Sequence, residues 1–358
     1  MSRLSELMKI YRNIYNRIIS LENLFLAWDT FKHDKGHKKD VGRFDWHLEE
    51  NIFQLHRDLA SKKYHHDRYS SFYITDPKQR HIHKAIVRDR VLHHAIVRIL
   101  TPIFEPTFIA KSFSCRVGKG THKGVSAVEL MTRQVSKNYT RPCFALKCDI
   151  KKFFNSINHR HLLAILERRI ADPDTIWLLR DIVGSFRTDL SDVFNDRGLP
   201  IGNLTSQLFA NVYMNEFDQF VKHELRIQHY ARYTDDFVIL SSDMDYLLSL
   251  LEPIQSFLKR YLDLELHEGK TSIRKLGQGI DFLGYTILPH YRLVRTKTRR
   301  RIFKKVDQRI EEYHTGVMSR ESLEQSLNSY LGVLCHANEY TMSEDLKNRF
   351  WFELKSTN

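Results

Sequence analysis

Two adjacent aspartates, Asp235 and Asp236, form the segment of the chain best suited to metal chemistry. The aromatic Tyr233 lies just before them and the apolar residues 237–240 follow, a pattern typical of a β-hairpin whose turn presents carboxylate oxygens. Mg²⁺ is held in proteins by one or two carboxylates together with substrate phosphates. Because an Asp-Asp pair is also common in solvated turns, the prediction of a metal site depends on a further carboxylate elsewhere in the chain.

That carboxylate is Asp149, which lies near the end of a segment that alternates between two predicted faces. One face consists of Phe144, Leu146, Cys148 and Ile150, and the other of Ala145, Lys147 and Asp149. If this strand lies beside the hairpin, Asp149 and Asp235 can bind the same pair of metal ions. Two such ions stabilise the attacking and the leaving oxygen of a phosphoryl transfer. Taken alone, Asp149 is equally consistent with a surface carboxylate at a strand end.

The residues around these aspartates resemble the ordered motifs of reverse transcriptases. Residues 146–154 resemble motif A and residues 233–236 (Tyr-Thr-Asp-Asp) resemble motif C. Residues 198–207, 266–271 and 282–285 are similar to motifs B, D and E, the last being the primer grip. The order and spacing match over roughly residues 20–340.

The resemblance implies an RNA-directed DNA polymerase in which a primer 3′ hydroxyl attacks the α-phosphate of a deoxynucleotide. Asp149, Asp235 and Asp236 would be the catalytic residues. Together with the backbone carbonyl of Ile150 they would hold two Mg²⁺ ions, with Mn²⁺ as an alternative. The implied partners are a template RNA, a primer or cDNA strand and deoxynucleoside triphosphates.

Further residues match positions at which the family binds the incoming nucleotide: Lys78, Arg80, Ile150, Phe154, Ile201, Gly202, Gln207 and Lys270. Lys78 and Arg80 would grip the triphosphate, for which an arginine fork is well suited. Phe154 would lie under the sugar and exclude a 2′ hydroxyl. Lys270 would either protonate the leaving pyrophosphate or bind phosphate.

A second set of residues would contact primer and template: Arg116, Tyr233, Leu283, Gly284, Arg295 and Arg299. Arg116 belongs to a basic, glycine-containing loop at residues 113–124. Arg295 and Arg299 belong to a stretch, residues 292–305, that holds eight Lys or Arg and no acid. This density, predicted at a helix start, suits the phosphates of an A-form duplex, although a solvated basic face has the same pattern.

The predicted fold class is α+β, with helices on one face of an antiparallel palm sheet in a right-hand polymerase fold. We expect a helical N-terminal extension over residues 1–64 and fingers over 65–139. The palm would cover residues 140–285, with part of the fingers inserted between motifs A and B, and a small helical thumb would cover 286–358. Residues 73–83 are expected to form a fingers hairpin.

Composition agrees with a polyanionic partner, because the 358-residue chain carries a formal net charge of +13. No apolar run approaches the length of a membrane span, and residues 1–6 lack the apolar core of a signal peptide. Four cysteines without metal-ligand spacing favour a reducing cytoplasm. The histidine pairs at 65–66 and 93–94 are predicted to be surface or RNA-facing residues.

Motif B narrows the resemblance. Ile201 occupies a position where many relatives have Gln, and Ser206 and Gln207 follow. This combination is similar to the reverse transcriptases of diversity-generating retroelements, which are error-prone at template adenines. They work in bacterial or phage-encoded systems with a small basic accessory protein, which would form an oligomer. The alternatives are a group II intron, retron or phage-defence reverse transcriptase and, from another class, a non-catalytic RNA-binding scaffold.

Overall fold

The structure, a computed structural model, describes residues 9–76, 78–186 and 196–355, with side chains described to residue 352. The chain forms two compact units, each assembled from separate segments. The first unit comprises Met1–Cys115, Ile150–Ile227 and Glu252–His267, and the second comprises Arg116–Asp149, Gln228–Leu251 and Glu268–Asn358. The division into four consecutive segments stays a prediction.

The first unit is mainly helical. Its helices are α1 (Tyr15–Ile19), α2 (Leu21–Lys32), α3 (Lys39–Trp46), α4 (Leu48–Ala60), α5 (Val87–Phe104), α7 (Phe153–Ser156), α8 (His159–Glu167), α9 (Pro173–Gly184), α10 (Leu204–Gln219) and α12 (Leu251–Leu262). Helix α5 packs against α2 and α10 and buries apolar side chains around its circumference. The helical N-terminal region is confirmed for the described residues, and Asn158 caps α8 by accepting hydrogen bonds from the amides of Arg160 and His161.

A two-stranded hairpin, β1 (Ser70–Ile74) and β2 (Arg80–Lys84), confirms that this segment forms a hairpin. Tyr73 lies opposite His81, and their rings stack with centroids 4.4 Å apart. The next strand positions place Arg80 and Ile82 together on the other face, since side chains alternate along a strand. The hairpin therefore has an aromatic face and a face that carries Arg80.

The prediction for the paired histidines is wrong for two of the four. His93 is 1% exposed, and its Nε2 lies 3.2 Å from Nε2 of His66, whose side chain is also buried. His66 Nδ1 lies 3.6 Å from the buried Asp89, to which Tyr64 donates a hydrogen bond. The physical reason is that His93 lies on a part of α5 that other helices cover, and the His66 ring stacks on the His93 ring.

The second unit contains both larger sheets. A four-stranded antiparallel sheet has the order β4-β5-β3-β6, and a three-stranded antiparallel sheet has the order β7-β8-β9. Their strands are β3 (Phe144–Asp149), β4 (Tyr230–Tyr233), β5 (Asp236–Ser241), β6 (Ser272–Lys275), β7 (Ile280–Phe282), β8 (Tyr285–Leu288) and β9 (Tyr291–Val294). Helices α6 (Thr121–Val135) and α11 (Met244–Ser249) pack on the larger sheet.

Three helices follow the smaller sheet: α13 (Thr296–His314), α14 (Arg320–Leu334) and α15 (Tyr340–Lys355). They pack against one another around Ile302, Val306 and Leu346. The basic run was predicted at a helix start, but Arg292 lies on strand β9 and forms an ion pair with Glu129 at 3.3 Å. The cause is strand pairing with β8, which places Arg292 opposite Ile287.

Two further expectations concern the chain as a whole. None of the helices in the described ranges is long and apolar enough to cross a membrane. The four cysteines are free thiols, two of them buried and two exposed. Burial raises the pKa of the Cys148 thiol to about 12, so this neighbour of Asp149 is an apolar core residue rather than a nucleophile.

We expect His94 to make the first unit less stable in mild acid. Burial, with the nearby charges of Lys35 and Arg90, lowers the pKa of His94 from 6.5 to about 4. Between these values the unfolded state binds more protons, so the free energy of unfolding decreases as the pH falls from about 6.5 towards 4. Between pH 7 and pH 5, the free energy of unfolding of His94→Phe should decrease by on the order of 1–2 kcal/mol less than that of wild type.

The measurement is urea denaturation of wild type and variant at both pH values. Phe is chosen because the His94 ring makes an edge contact with Phe31, which a phenyl ring can keep. An equal loss of stability in the two proteins would contradict this account.

Candidate active site of three aspartates

The register of the larger sheet brings two of the predicted aspartates face to face. Strands β3 and β5 are antiparallel, with Cys148 opposite Phe237 and Asp149 opposite Asp236. Directly opposed residues project from the same face of a sheet. The two carboxylates therefore share one face at the end of both strands, 18% and 21% exposed.

The third aspartate lies in the turn that joins β4 to β5. Tyr233 pairs with Asp236, which leaves Thr234 and Asp235 as a two-residue hairpin loop, as the sequence predicts. Thr234 has φ +57°, a left-handed conformation that is unusual for a β-branched residue. Arg232, whose side chain is fully buried, donates a 2.9 Å hydrogen bond to the carbonyl of Thr234. The buried Arg232 side chain thus stabilises the strained turn that carries Asp235.

Each opposed aspartate is paired with a lysine. Lys270, in the short 3₁₀ turn before β6, donates to Asp149 Oδ1 at 2.7 Å. Lys147, on the same face of β3 as Asp149, lies 3.3 Å from Asp236 Oδ2. These cations offset the repulsion between like charges placed directly opposite one another.

Asp236 differs electrostatically from an ordinary surface aspartate. Burial raises its pKa to about 6, and the charges of Asp149 and Asp235 act in the same direction against the opposing effect of Lys147. Its Oδ1 atom is buried and has no hydrogen-bond partner in the described structure. A buried carboxylate oxygen with open lone pairs is costly unless a donor or cation meets it.

This donor set fits a divalent metal ion. The described residues contain no group of three or more His, Cys, Asp or Glu side chains already arranged around a metal position. Asp149 and Asp236 nevertheless provide hard oxygen ligands on one face, and Asp236 Oδ1 remains available. Ile150, whose carbonyl was predicted as a ligand, follows Asp149 in the chain and forms a β-bridge with Leu266 in the first unit.

A second strained turn lies in the smaller sheet. Phe282 pairs with Tyr285, so Leu283 and Gly284 form a two-residue loop between β7 and β8. Both have positive φ, +49° and +91°, as a type I′ hairpin requires. A leucine in this conformation is strained, and Arg295 donates its amide to the Gly284 carbonyl at 3.0 Å. Three predicted primer residues thus lie together.

The first unit brings together several predicted nucleotide-binding residues. The His83 amide donates to the carbonyl of Ile201 at 3.0 Å, which docks the hairpin on the loop before α10. Gly202 has φ +116°, and a Cβ there would lie 3.0 Å from the side chain of Ile82. The carbonyl of Phe154 accepts a hydrogen bond from Leu199 in the same loop.

The other predicted residues are placed separately. Arg80 begins β2, Lys78 is exposed in the hairpin turn, and Gln207 is exposed in the first turns of α10. Arg116 lies in the loop before α6, and Arg299 lines a groove between α13 and α15. Tyr233 contacts α6, because its hydroxyl accepts a 3.5 Å hydrogen bond from Thr121.

Two residues beside the aspartates were missed by sequence reasoning. Lys147 was assigned only to the polar face of its strand, and Arg232 was given no role. A charged residue at a strand position that proves to be 0% exposed, as Arg232 does, is rare and signals a fixed partner. Its position directly before Tyr233, within a run of strand-forming residues, was the available signal.

Thr234→Gly is expected to stabilise the protein, because glycine adopts positive φ without steric strain. Relief of this strain should exceed the entropy that glycine costs and raise the free energy of unfolding by about 0.5–1 kcal/mol, measured by urea denaturation. The matched control is Thr315→Gly at φ −82°, where no strain exists and the same exchange should lower stability. A destabilised Thr234→Gly protein would show that the turn is not strained.

Comparison with known proteins shows which family has a similar sequence. Residues 75–287 match the family described as reverse transcriptase (RNA-dependent DNA polymerase). Protein YkfC of Escherichia coli (strain K12) is 26% identical over 248 residues, covering 60% of this chain and 62% of YkfC. The group II intron-encoded protein LtrA of Lactococcus lactis subsp. cremoris is 21% identical over 348 residues, covering 78% and 57%.

A solved structure, apo telomerase from Candida tropicalis truncated from its C-terminal domain, is similar with a TM-score of 0.48 and 12% identity. The similar region covers 70% of this chain and 60% of the telomerase chain. The chain spans about six tenths of the length of YkfC and LtrA.

The matched region covers more than half of the chain and includes all three aspartates, strand β2 and helix α10. Together with the antiparallel sheets and their packed helices, it confirms the predicted α+β class and right-hand polymerase fold. The chain therefore belongs to the reverse transcriptase (RNA-dependent DNA polymerase) family.

Proposed function

We propose that this protein is an RNA-directed DNA polymerase that extends a primer on a template RNA with deoxynucleoside triphosphates. The observation that carries the proposal is the strand register, which opposes Asp149 to Asp236 and places Asp235 in the adjoining turn. Two carboxylates on neighbouring strands provide what a metal-assisted phosphoryl transfer needs. The primer 3′ hydroxyl attacks the α-phosphate, and pyrophosphate leaves.

Asp149, Asp235 and the carbonyl of Ile150 are proposed to hold two Mg²⁺ ions, with Asp236 contributing Oδ1 or its charge. When bound, the ions lower the pKa of the attacking hydroxyl and neutralise charge on the phosphates. The uncompensated Asp236 oxygen and the carboxylate pair support this assignment. Mn²⁺ offers a similar ligand preference for oxygen.

Lys270 is proposed to act on the triphosphate. Its side chain is 43% exposed, and among the described residues its Nζ has the acidic partner Asp149. If Asp149 holds a metal ion, the contact with Lys270 would weaken, and the ammonium would be available for phosphate oxygens. Lys270 then either binds the pyrophosphate or donates a proton to it.

The first unit is proposed to bind the incoming nucleotide. Arg80 and Lys78 contact the triphosphate, Phe154 excludes the 2′ hydroxyl, and the loop at Ile201 and Gly202 borders the nucleotide with Gln207. The hydrogen bond from His83 to Ile201 supports a role for the hairpin and loop as one rigid element. Gly202 is suited to this position because any side chain there would meet Ile82.

The second unit is proposed to hold primer and template. Tyr233 precedes the turn that carries Asp235, and Leu283 and Gly284 form the turn between β7 and β8. The positive φ angles of Thr234 and Leu283 support a functional constraint on these two turns. Arg295, Arg299 and Arg116 supply positive charge for the backbone of the duplex. These roles follow the resemblance of the motifs, and the turn geometry supports them.

Within the family, we propose a diversity-generating enzyme that misincorporates opposite template adenines. Ile201 cannot form the hydrogen bonds of the Gln that many relatives have there, and losing a geometric check lowers discrimination between nucleotides. A small basic accessory protein, as an oligomer, would be the partner. The similarity to LtrA favours a second candidate, a group II intron-type reverse transcriptase.

Asp149→Asn and Asp235→Asn should each reduce primer extension on an RNA template by at least roughly a thousandfold, because each removes a charged metal ligand. Circular dichroism and thermal denaturation should show a folded protein. Asp245→Asn, at an exposed position of α11, is the matched control and should retain activity. Extension by either active-site variant at near wild-type rate would exclude the proposed site.

Ile201→Gln should reduce misincorporation opposite template adenine by roughly tenfold relative to misincorporation opposite the other bases. Sequencing of cDNA made from a defined RNA measures both rates in one reaction. Ile201→Leu keeps an apolar side chain and should leave the bias unchanged. An unaltered adenine bias in Ile201→Gln would contradict the role of this position and favour the intron-type alternative.

A further inference from the structure

Lys147 connects the aspartates to the smaller sheet of the same unit. Its Nζ lies 3.3 Å from Asp236 Oδ2 and donates a 2.9 Å hydrogen bond to the backbone carbonyl of Asp281 on β7. The Lys147 side chain is 22% exposed, about half the exposure of Lys270. Lys147 therefore has two partners in a partly enclosed position.

The contact with Lys147 sets the orientation of the Asp236 carboxylate. Of its two oxygens, Oδ2 faces Lys147, and Oδ1 is buried without a hydrogen-bond partner in the described part of the chain. A carboxylate with one held oxygen has a defined plane, whereas rotation about its terminal bond is broad when neither oxygen is held. Lys147 thus decides which way Oδ1 points.

The anchor of Lys147 is itself rigid. The Asp281 carboxylate accepts hydrogen bonds from Thr286 at 2.7 Å and from Arg295, whose Nε lies 2.9 Å away. Arg295 also bonds the Gly284 carbonyl in the β7–β8 turn. Because the Asp281 carbonyl is held in place, it fixes the position of the Lys147 ammonium. The same carbonyl lies two residues before the turn at Leu283.

We propose that Lys147 is a positioning residue for nucleotide addition. Anchored on the Asp281 carbonyl, it orients the Asp236 carboxylate and fixes the separation between the aspartates and the turn at Leu283. This inference rests on the proposed function only in naming the reaction; the contacts themselves stand on the structure. It gives Lys147 a role different from that of Lys270, which has to leave its aspartate.

A positioning role differs from simple charge compensation in its response to metal. If Lys147 only offsets the negative charge of the aspartates, saturating Mg²⁺ replaces that charge and restores the rate. If Lys147 orients Asp236, excess Mg²⁺ cannot replace the missing anchor. Single-nucleotide insertion at saturating Mg²⁺ therefore distinguishes the two.

The experiment compares Lys147→Met, which keeps the length of the side chain, with Lys147→Arg, which can donate to both partners. In Lys147→Met, kcat at saturating Mg²⁺ should fall by roughly 10- to 100-fold, while the KM for the nucleotide changes by less than about threefold. Lys147→Arg should recover kcat to within about fivefold of wild type. Arg274→Met is the control, because it deletes an exposed positive charge on β6 of the same sheet; its kcat should match that of wild type.

A second readout needs no catalysis. Charge compensation alone predicts that Mg²⁺ raises the Tm of Lys147→Met more than that of wild type in the absence of nucleic acid, because the aspartates lose a cation. Loss of the Asp236 orientation weakens the metal site, so the positioning role predicts a rise in Tm no larger than that of wild type. Restoration of kcat by excess Mg²⁺, an Arg variant as defective as Met, or a larger Mg²⁺-induced Tm shift in Lys147→Met than in wild type would overturn the proposal. An inactive wild-type protein would refute the proposed function, and the Tm comparison would still decide whether Lys147 serves the aspartates.

If Lys147→Met fails to fold, Lys147→Gln provides the same comparison with a neutral donor. A purely structural role lowers the Tm of the variants and leaves the kcat of the folded fraction unchanged. The positioning role lowers kcat in protein that is folded. Active-site titration with a labelled primer gives the folded fraction.

Discussion

The structure of the site depends on the opposition of two carboxylates across one pair of strands. Asp149 and Asp236 face each other because β3 and β5 pair in a single register. Like charges in this position destabilise a sheet, and the cost appears in the pKa of Asp236, which burial and its acidic neighbours raise to about 6. The apolar residues of both strands, buried on the other face, stabilise the register, because a slip of one residue would expose them.

Lysines from two directions limit this cost. Lys147 approaches Asp236 from within β3, and Lys270 approaches Asp149 from the turn before β6. The Lys147 side chain is 22% exposed and that of Lys270 is 43% exposed, in agreement with the proposed roles of Lys147 as a positioning residue and Lys270 as a phosphate-binding residue. The two lysines partly compensate the carboxylates, while Asp236 Oδ1 has no hydrogen-bond partner in the described part of the chain.

Backbone strain accompanies the charge. Thr234 and Leu283 each adopt positive φ in a two-residue turn, one beside Asp235 and the other after β7. Buried Arg232 holds the first turn, and Arg295 holds the second. Strain of this kind persists where surrounding contacts over-determine the conformation, which is typical of functional turns. In the first unit, Gly202 relieves the same problem by having no side chain.

Local pattern was sufficient for much of this protein. Alternation predicted β3, and the polar break at Asp235 predicted its hairpin. The order of motifs led to the family. These features depend on periodicity and on residues close together in the chain, which the sequence contains directly.

The partners of individual side chains were decided only by tertiary structure. Lys147 donates a hydrogen bond to a carbonyl 134 residues away in the chain. His93 is buried because other helices cover α5, and Arg292 lies on a strand rather than on the predicted basic helix. No local pattern encodes such contacts, because they depend on how separate segments pack and on the register in which strands pair. The sequence by itself determined which residues could do chemistry. Packing decided which charges meet, since burial and distance set the strength of every electrostatic contact.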